Sequence, residues 1–239
     1  LARATEIIEI SGLDVNDSLE RLVITGGNEI TSLSGLTNNL NLKSLQINDC
    51  CSLNELPNFH NLKNLENLQV YGCPNLKELK GTESLAALQT LQLGGCRSLN
   101  SIPDLQHLPN LEELTLSWFQ NEVNIVNLPR LGKLRKLKLS GHSSLRRLDG
   151  LEHLANLEEL NLSRCISLEY LESLEKLSNL RKLILRGCRS LVSLQGLMNL
   201  QHLEEITLSY CTSLEEIDEL YLKPNLQLLD ISFCRNLRQ

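Results

Sequence analysis

The segment LRKLILRGCRSLVSLQGLMNLQH (residues 180–202) carries leucine at its first, fourth, sixth, twelfth, fifteenth, eighteenth and twenty-first positions, and Cys188 at its ninth. The pattern restarts at Leu203 and can be followed back almost to the first residue. Leu19, Leu42, Leu65, Leu88, Leu111, Leu134, Leu157, Leu180, Leu203 and Leu226 open successive units, always 23 residues apart and without insertion. A unit this short cannot enclose its own apolar face and buries it by stacking on its neighbours, so a period in this range marks a solenoid.

Within a unit, L-x-x-L-x-L ends in the alternation of a strand. The same strand recurring in one direction predicts a single parallel sheet. From the twelfth position onward the leucines fall three apart, as in Leu168, Leu171, Leu174 and Leu177. On an α-helix such steps would carry Leu168 and Leu177 to opposite faces, whereas on a 3₁₀ turn all share one face. The expected fold is therefore an α/β-class solenoid, curved into a horseshoe. Its concave face is a parallel sheet with strands about 4.8 Å apart, and its convex face is short 3₁₀ and extended segments. Residues 1–239 read as one such domain. Residues 1–18 are a short leading unit, with a first strand expected at 5–13 around Ile8 and Ile10, and ten 23-residue repeats start at Leu19, the last incomplete. Solenoids carry polar capping units at their ends, so a stop in mid-repeat is expected of a piece cut from a longer protein.

The register has exceptions. The first full repeat places Gly27 at position nine and Asn39 at position twenty-one, and the ninth repeat places Lys223 at position twenty-one. The fifth, LEELTLSWFQNEVNIVNLPRLGK (residues 111–133), has Phe119 at position nine and Glu122 at position twelve, and the sixth has His142 at position nine.

A formal net charge of −6 offers no basic stripe, so no nucleic-acid partner is expected. The sequence has no run of about 18 apolar residues, so no membrane span is expected, and LARATEIIEI lacks the layout of a signal peptide. Seven of the eight cysteines (Cys50, Cys73, Cys96, Cys165, Cys188, Cys211 and Cys234) occupy position nine, and Cys51 is a loop neighbour. A buried thiol is a small hydrophobe with a weak S–H donor, suited to the turn off a strand. Adjacent ladder cysteines, about 5 Å apart, would tolerate a disulfide, but seven in register pair poorly, and no C-x-x-C or nearby histidine supplies a metal site. Free thiols, a reducing compartment and a cytoplasmic location are expected. Asn-x-Ser sequons stand at Asn16 and Asn161.

Catalysis finds no support, and neither cofactor nor metal is expected. His60, His107, His142, His153 and His202 scatter over turns and share no repeat with a plausible Ser or Cys nucleophile. The carboxylate pairs alternate with basic pairs at positions two and three: Glu112-Glu113, Arg135-Lys136, Glu158-Glu159, Arg181-Lys182, Glu204-Glu205. Stacked in a parallel sheet they form a self-complementary ladder, each cross-strand pair worth roughly 0.2–1 kcal/mol.

L-x-x-L-x-L-x-x-[N/C]-x-L resembles the leucine-rich repeat signature over essentially the whole chain. The form C-x-S-L-x-x-L, at residues 50–56, 96–102, 165–171, 188–194 and 211–217, is similar to repeats of plant intracellular nucleotide-binding immune receptors. That resemblance implies a ligand-sensing or autoinhibitory array C-terminal to a nucleotide-binding switch domain. No G-x-x-x-x-G-K-[ST] occurs here, so the ATPase part would lie outside this sequence. A stand-alone cytoplasmic scaffold or adaptor, and the substrate-recruiting part of a ubiquitin ligase, share the fold as alternatives, since fold does not fix function.

Position eight is glycine in half the repeats (Gly26, Gly72, Gly95, Gly141, Gly187), read as bare backbone; elsewhere it holds Trp118, Arg164, Tyr210 and Phe233. Tyr71 and Arg186 stand at position seven, Lys138 and Ile184 at position five. Of eight aromatics, five fall at positions seven to nine, and all of those but Phe119 should project from the core. Trp, Tyr and Arg dominate interface hot spots. The partner-binding residues are therefore predicted to be Arg164, Arg186, Tyr210, Phe233, Trp118, Tyr71, Lys138 and Ile184. Their partner would be a protein ligand on the concave face or, within a larger receptor, other domains of the same parent chain.

Overall fold

The computed structural model describes residues 18–119, 128–217 and 223–238. The strand expected at 5–13, the sequon at Asn16 and the displaced Glu122 lie outside them. The chain divides into two compact units, residues 1–123 and 124–239.

In the first unit, β1 (Arg21–Thr25), β2 (Ser44–Asn48), β3 (Asn67–Tyr71), β4 (Thr90–Gly94) and β5 (Glu113–Ser117) lie parallel in chain order. Leu22 pairs with Leu45, Leu45 with Leu68, Leu68 with Leu91 and Leu91 with Leu114. The 23-residue sequence period is therefore the register of the sheet. The second unit contains β6 (Lys136–Lys138), β7 (Glu159–Asn161), β8 (Lys182–Ile184), β9 (Ser193–Leu194), β10 (Glu205–Thr207), β11 (Glu216–Ile217) and β12 (Leu228–Asp230). Here β6, β7, β8, β10 and β12 are parallel in the same register. The two-residue strands β9 and β11 pair with each other as a separate ribbon, which the leucine spacing does not predict.

Positions four and six hold the core. Leu68, Val70, Leu91 and Leu93 in the first unit, and Leu160, Leu162, Leu183 and Leu185 in the second, are completely buried. Each such side chain contributes about 1.5–3 kcal/mol relative to exposure. The three-residue leucine spacing resolves into the expected 3₁₀ turns, among them Phe59–Asn61, Leu105–His107, Leu151–His153 and Leu174–Lys176. A buried residue at position eighteen opens each of these turns. The N–H at position twenty-one donates back to it, as Leu177 does to the Leu174 carbonyl at 3.0 Å, and the next opening leucine donates in turn, Leu180 to Leu177 at 2.9 Å. The leucines and the i to i+3 bonds thus share one period.

Three side-chain ladders tie the repeats together. Cys165, Cys188 and Cys211 donate Sγ–H to the carbonyls of Leu139, Leu162 and Leu185 at 3.0, 3.2 and 3.1 Å, each in the preceding repeat. In the first unit Cys50 and Cys73 donate to Asn48 and Tyr71 at 3.5 Å. All eight thiols are free. Phe119 and His142 are buried at the same position. The second ladder is asparagine at position twenty-three. Asn64, Asn110, Asn156, Asn179 and Asn225 donate Nδ2–H to backbone carbonyls 24 residues earlier, at 2.7–2.9 Å. The third is the charge ladder: Arg135–Glu158 at 2.8 Å, Arg181–Glu204 at 3.0 Å and Lys182–Glu205 at 3.2 Å. Lys138, at position five, also pairs with Glu159, at 3.0 Å. Lys223, in a leucine position, is buried and donates to the Met198 carbonyl at 2.8 Å. Among the described residues no helix is long and apolar enough to cross a membrane.

Candidate recognition surface

Glycine at position eight answers a backbone demand that spacing alone does not reveal. All ten residues at this position have positive φ: Gly26, Gly72, Gly95, Gly141 and Gly187, but also Asp49 (54°), Trp118 (61°), Arg164 (61°), Tyr210 (65°) and Phe233 (61°). The left-handed region is costly for any residue with a Cβ. The conformation recurs because position eight must do two things. Its N–H continues the inter-strand ladder, Gly72 to the Gly94 carbonyl at 2.9 Å, Arg164 to Arg186 at 2.7 Å and Tyr210 to Ser232 at 2.9 Å. The next residue must then dive into the core as the ladder cysteine. Non-glycine side chains at position eight are left outside: Trp118, Tyr210 and Phe233 are 49%, 40% and 57% exposed.

In the second unit these residues assemble. The Tyr210 and Phe233 rings stack with centroids 4.6 Å apart and planes 15° from parallel. The Arg186 guanidinium carbon lies 5.6 Å from the Tyr210 centroid. Arg164 lays its stem across Gly187, its Cγ 3.6 Å from where a Cβ there would stand. Serines flank the ladder. Ser163 donates Oγ–H to Asn161 at 2.7 Å, and the Ser232 N–H donates to Asp230 at 3.0 Å. The Ser232 hydroxyl, then its N–H and Ser209, hold the Asp230 carboxyl below its ordinary range, and the nearby Arg186 charge adds to this.

The other predicted residues make different contacts. Lys138 is committed to Glu159, and Ile184 is half-buried in β8. Tyr71 and Trp118 belong to the first unit. The Tyr71 ring lies against Gly94, where a Cβ would come within 2.7 Å, and its hydroxyl donates to Gln92 at 3.2 Å. Burial raises the Tyr71 hydroxyl above its ordinary pKa. Stacking also brings His60 Nδ1 to 2.9 Å from Ser84 Oγ, on an exposed pair of turns. That contact joins two repeats, so spacing within one repeat does not disclose it. Among the described residues no cluster of His, Cys, Asp and Glu could hold a metal ion. The surface offers stacking, cation–π and charge-assisted hydrogen bonding, the chemistry of recognition.

The BspA-type leucine-rich repeat region matches residues 25–140 and 138–236, as six copies. The chain belongs to this leucine-rich repeat family. No curated relative matches this leucine-rich repeat protein. Among solved structures, the leucine-rich repeat domain of the type III effector XopL is 26% identical, with a TM-score of 0.75, over 91% of this chain and 78% of that one. The functional domain of InlJ from Listeria monocytogenes, which includes a cysteine ladder, is 18% identical over 94% of this chain and 60% of that one, with a TM-score of 0.41. Internalin C2 from Listeria monocytogenes is 19% identical over 87% and 78%, with a TM-score of 0.47.

Proposed function

We propose that this leucine-rich repeat protein is a non-enzymatic protein-recognition module whose main contact is the position-eight ridge of the second unit. The observation that carries this is the Arg186–Tyr210–Phe233 stack, with Tyr210 and Phe233 held in the left-handed region that glycine would occupy without strain. Backbone outliers of this kind collect where a side chain is needed for contact, and Arg and Tyr are the usual interface anchors. The partner is a protein docking on the strand side of the unit. Free buried thiols favour a reducing, cytoplasmic setting.

Two larger contexts fit such a module. An effector-borne recognition domain rests on the likeness to the XopL domain. The ligand-sensing array of a plant intracellular immune receptor rests on the C-x-S-L-x-x-L form alone, and a nucleotide-binding domain encoded upstream in the parent gene would decide for it. The module itself is tested by affinity capture from source cells with wild type, Tyr210→Ala with Phe233→Ala, and Trp118→Ala. Retention by the double variant within about twofold, together with loss in Trp118→Ala, would move the contact to the fifth repeat and refute the assignment. The expected result is a loss of about tenfold or more in the double variant, equivalent to about 1.4 kcal/mol, with the melting midpoint kept to within a few degrees.

A further inference from the structure

The charge on the ridge is of one sign. Across positions seven and eight of the second unit, Arg164 and Arg186 are the only charged residues, and serine, glycine and the two aromatics fill the rest. The same positions of the first unit carry Asp49 and no cation. Of the nearby strand acids, Glu159 is paired with Lys138 at 3.0 Å and Glu205 with Lys182 at 3.2 Å, while Asp230, which accepts from the Ser232 N–H at 3.0 Å, keeps its charge close to Arg186. A chain of net charge −6 thus presents a local doublet of guanidinium groups beside stacked rings.

From this we infer that the ridge binds an extended, carboxylate-bearing peptide segment of its partner, an inference that rests on the recognition reading above. Arg164 to Phe233 spans three strand intervals of about 4.8 Å each, a length that four or five extended residues cover at about 3.3 Å apiece. Arg186 is placed over the Tyr210 ring, and a guanidinium with five donors can take a partner carboxylate in addition to the nearby Asp230. Tyr210, exposed although stacked on Phe233, offers ring surface to a flat or apolar side chain. The backbone at Arg164 and Tyr210 is fixed by its inter-strand bonds and φ, so binding orders side chains and not the backbone that carries them.

The probe is a displayed random-peptide library selected on the immobilised protein, followed by affinity measurement on one synthetic peptide that emerges. Wild type is expected to enrich Asp and Glu. Arg164→Gly with Arg186→Gln, which keeps a backbone-compatible residue at 164, should weaken the synthetic peptide about tenfold or more, and Arg164→Glu with Arg186→Glu should enrich Lys and Arg instead. Neutral or basic peptides from wild type would overturn the inference, as would acidic peptides that bind both arginine variants unchanged. Stronger binding of oligothymidine than of the peptide would also overturn it, in favour of a polyanion site. If the library yields no binder while capture of a folded protein still depends on Tyr210 and Phe233, the peptide inference falls and the recognition reading stands.

Discussion

Arg164 and Arg186 sit in adjacent repeats, one register position apart, and only Arg164 has a left-handed backbone, with φ 61°. Replacing each by alanine and by glycine therefore separates backbone strain from lost contacts. At 164 both replacements remove the same guanidinium and the same stem over Gly187, so their difference reports the backbone alone. A Cβ in the left-handed region costs about 1–2 kcal/mol, and the greater unfolded freedom of glycine returns about 0.4–1 kcal/mol of that. Arg164→Gly should then be more stable than Arg164→Ala by up to about 1.6 kcal/mol, with a midpoint of about 0.8 kcal/mol. At 186 both replacements lose the contact with Tyr210, but no strain is relieved, so glycine should be the less stable by about 0.4–1 kcal/mol. The sign of the glycine-minus-alanine difference reverses between the two sites. Urea titrations read as midpoints at constant slope measure it, and melting shifts of about 2–4 °C per kcal/mol provide a second reading. Finding Arg164→Ala more stable than Arg164→Gly, or one sign at both sites, would refute the account of position eight.

Leu183, fully buried between Leu160 and Ile206 in the register of β7, β8 and β10, should cost about 2–5 kcal/mol as Leu183→Ala, against under about 0.5 kcal/mol for exposed Gln195→Ala. Equal losses would mean that the register is wrong. Denaturation in an alkylating reagent without reductant, followed by intact mass, should count eight modified thiols; a mass short by one or more disulfides would contradict the ladder. Burial pushes the Cys165 thiol up to about 11 and the Cys211 thiol up to about 12, from 9.0. The raised values mean that the fold holds its protons more tightly than the unfolded chain. That stability is fully present below pH 9.0 and is lost as the pH rises through about 11 and 12, so the urea midpoint should fall only above pH 9.0, and less steeply in Cys165→Ala.

The period of 23 fixed the parallel pairing in each unit because a strict repeat without insertion leaves one possible register, Leu160 against Leu183. Steps of three leucines pointed to 3₁₀ turns because bonding and side-chain period coincide there, as at Leu174 and Leu177. The asparagine ladder at position twenty-three was equally legible as a spacing, Asn156 to Asn179, but its role is a bond to a carbonyl in the repeat before, which hydrophobic pattern does not encode. The aromatic and arginine cluster could be located by register, and its stack follows from strands about 4.8 Å apart. The left-handed backbone could not be located in the same way. Glycine at five of ten positions signals it, but Trp118, Arg164, Tyr210 and Phe233 obscure the signal by occupying the conformation at a cost. Lys138 shows the opposite limit, since a cation at an exposed register position was spent on Glu159 one strand away.

Positions eight and nine of each repeat answer to different forces, and the contrast bears on where function can reside. Position nine is filled by whatever packs: Cys188, Phe119 and His142 are all buried there, and losing any of them would be felt as a cavity. Position eight asks nothing of a side chain, because its bond to the next strand is made by the backbone, at 2.7 Å for Arg164 and 2.9 Å for Tyr210. Folding alone favours glycine there. A side chain at that position stabilises little, since the stack of Tyr210 on Phe233 is worth about 0.5–1.5 kcal/mol against about 1–2 kcal/mol of strain at each residue. The stack alone therefore does not offset the strain at Tyr210 and Phe233, which is the imbalance that the proposed contact with a partner would account for. Substituting glycine at all three should leave the sheet intact while removing the ridge, which makes position eight the place to separate stability from recognition in this fold.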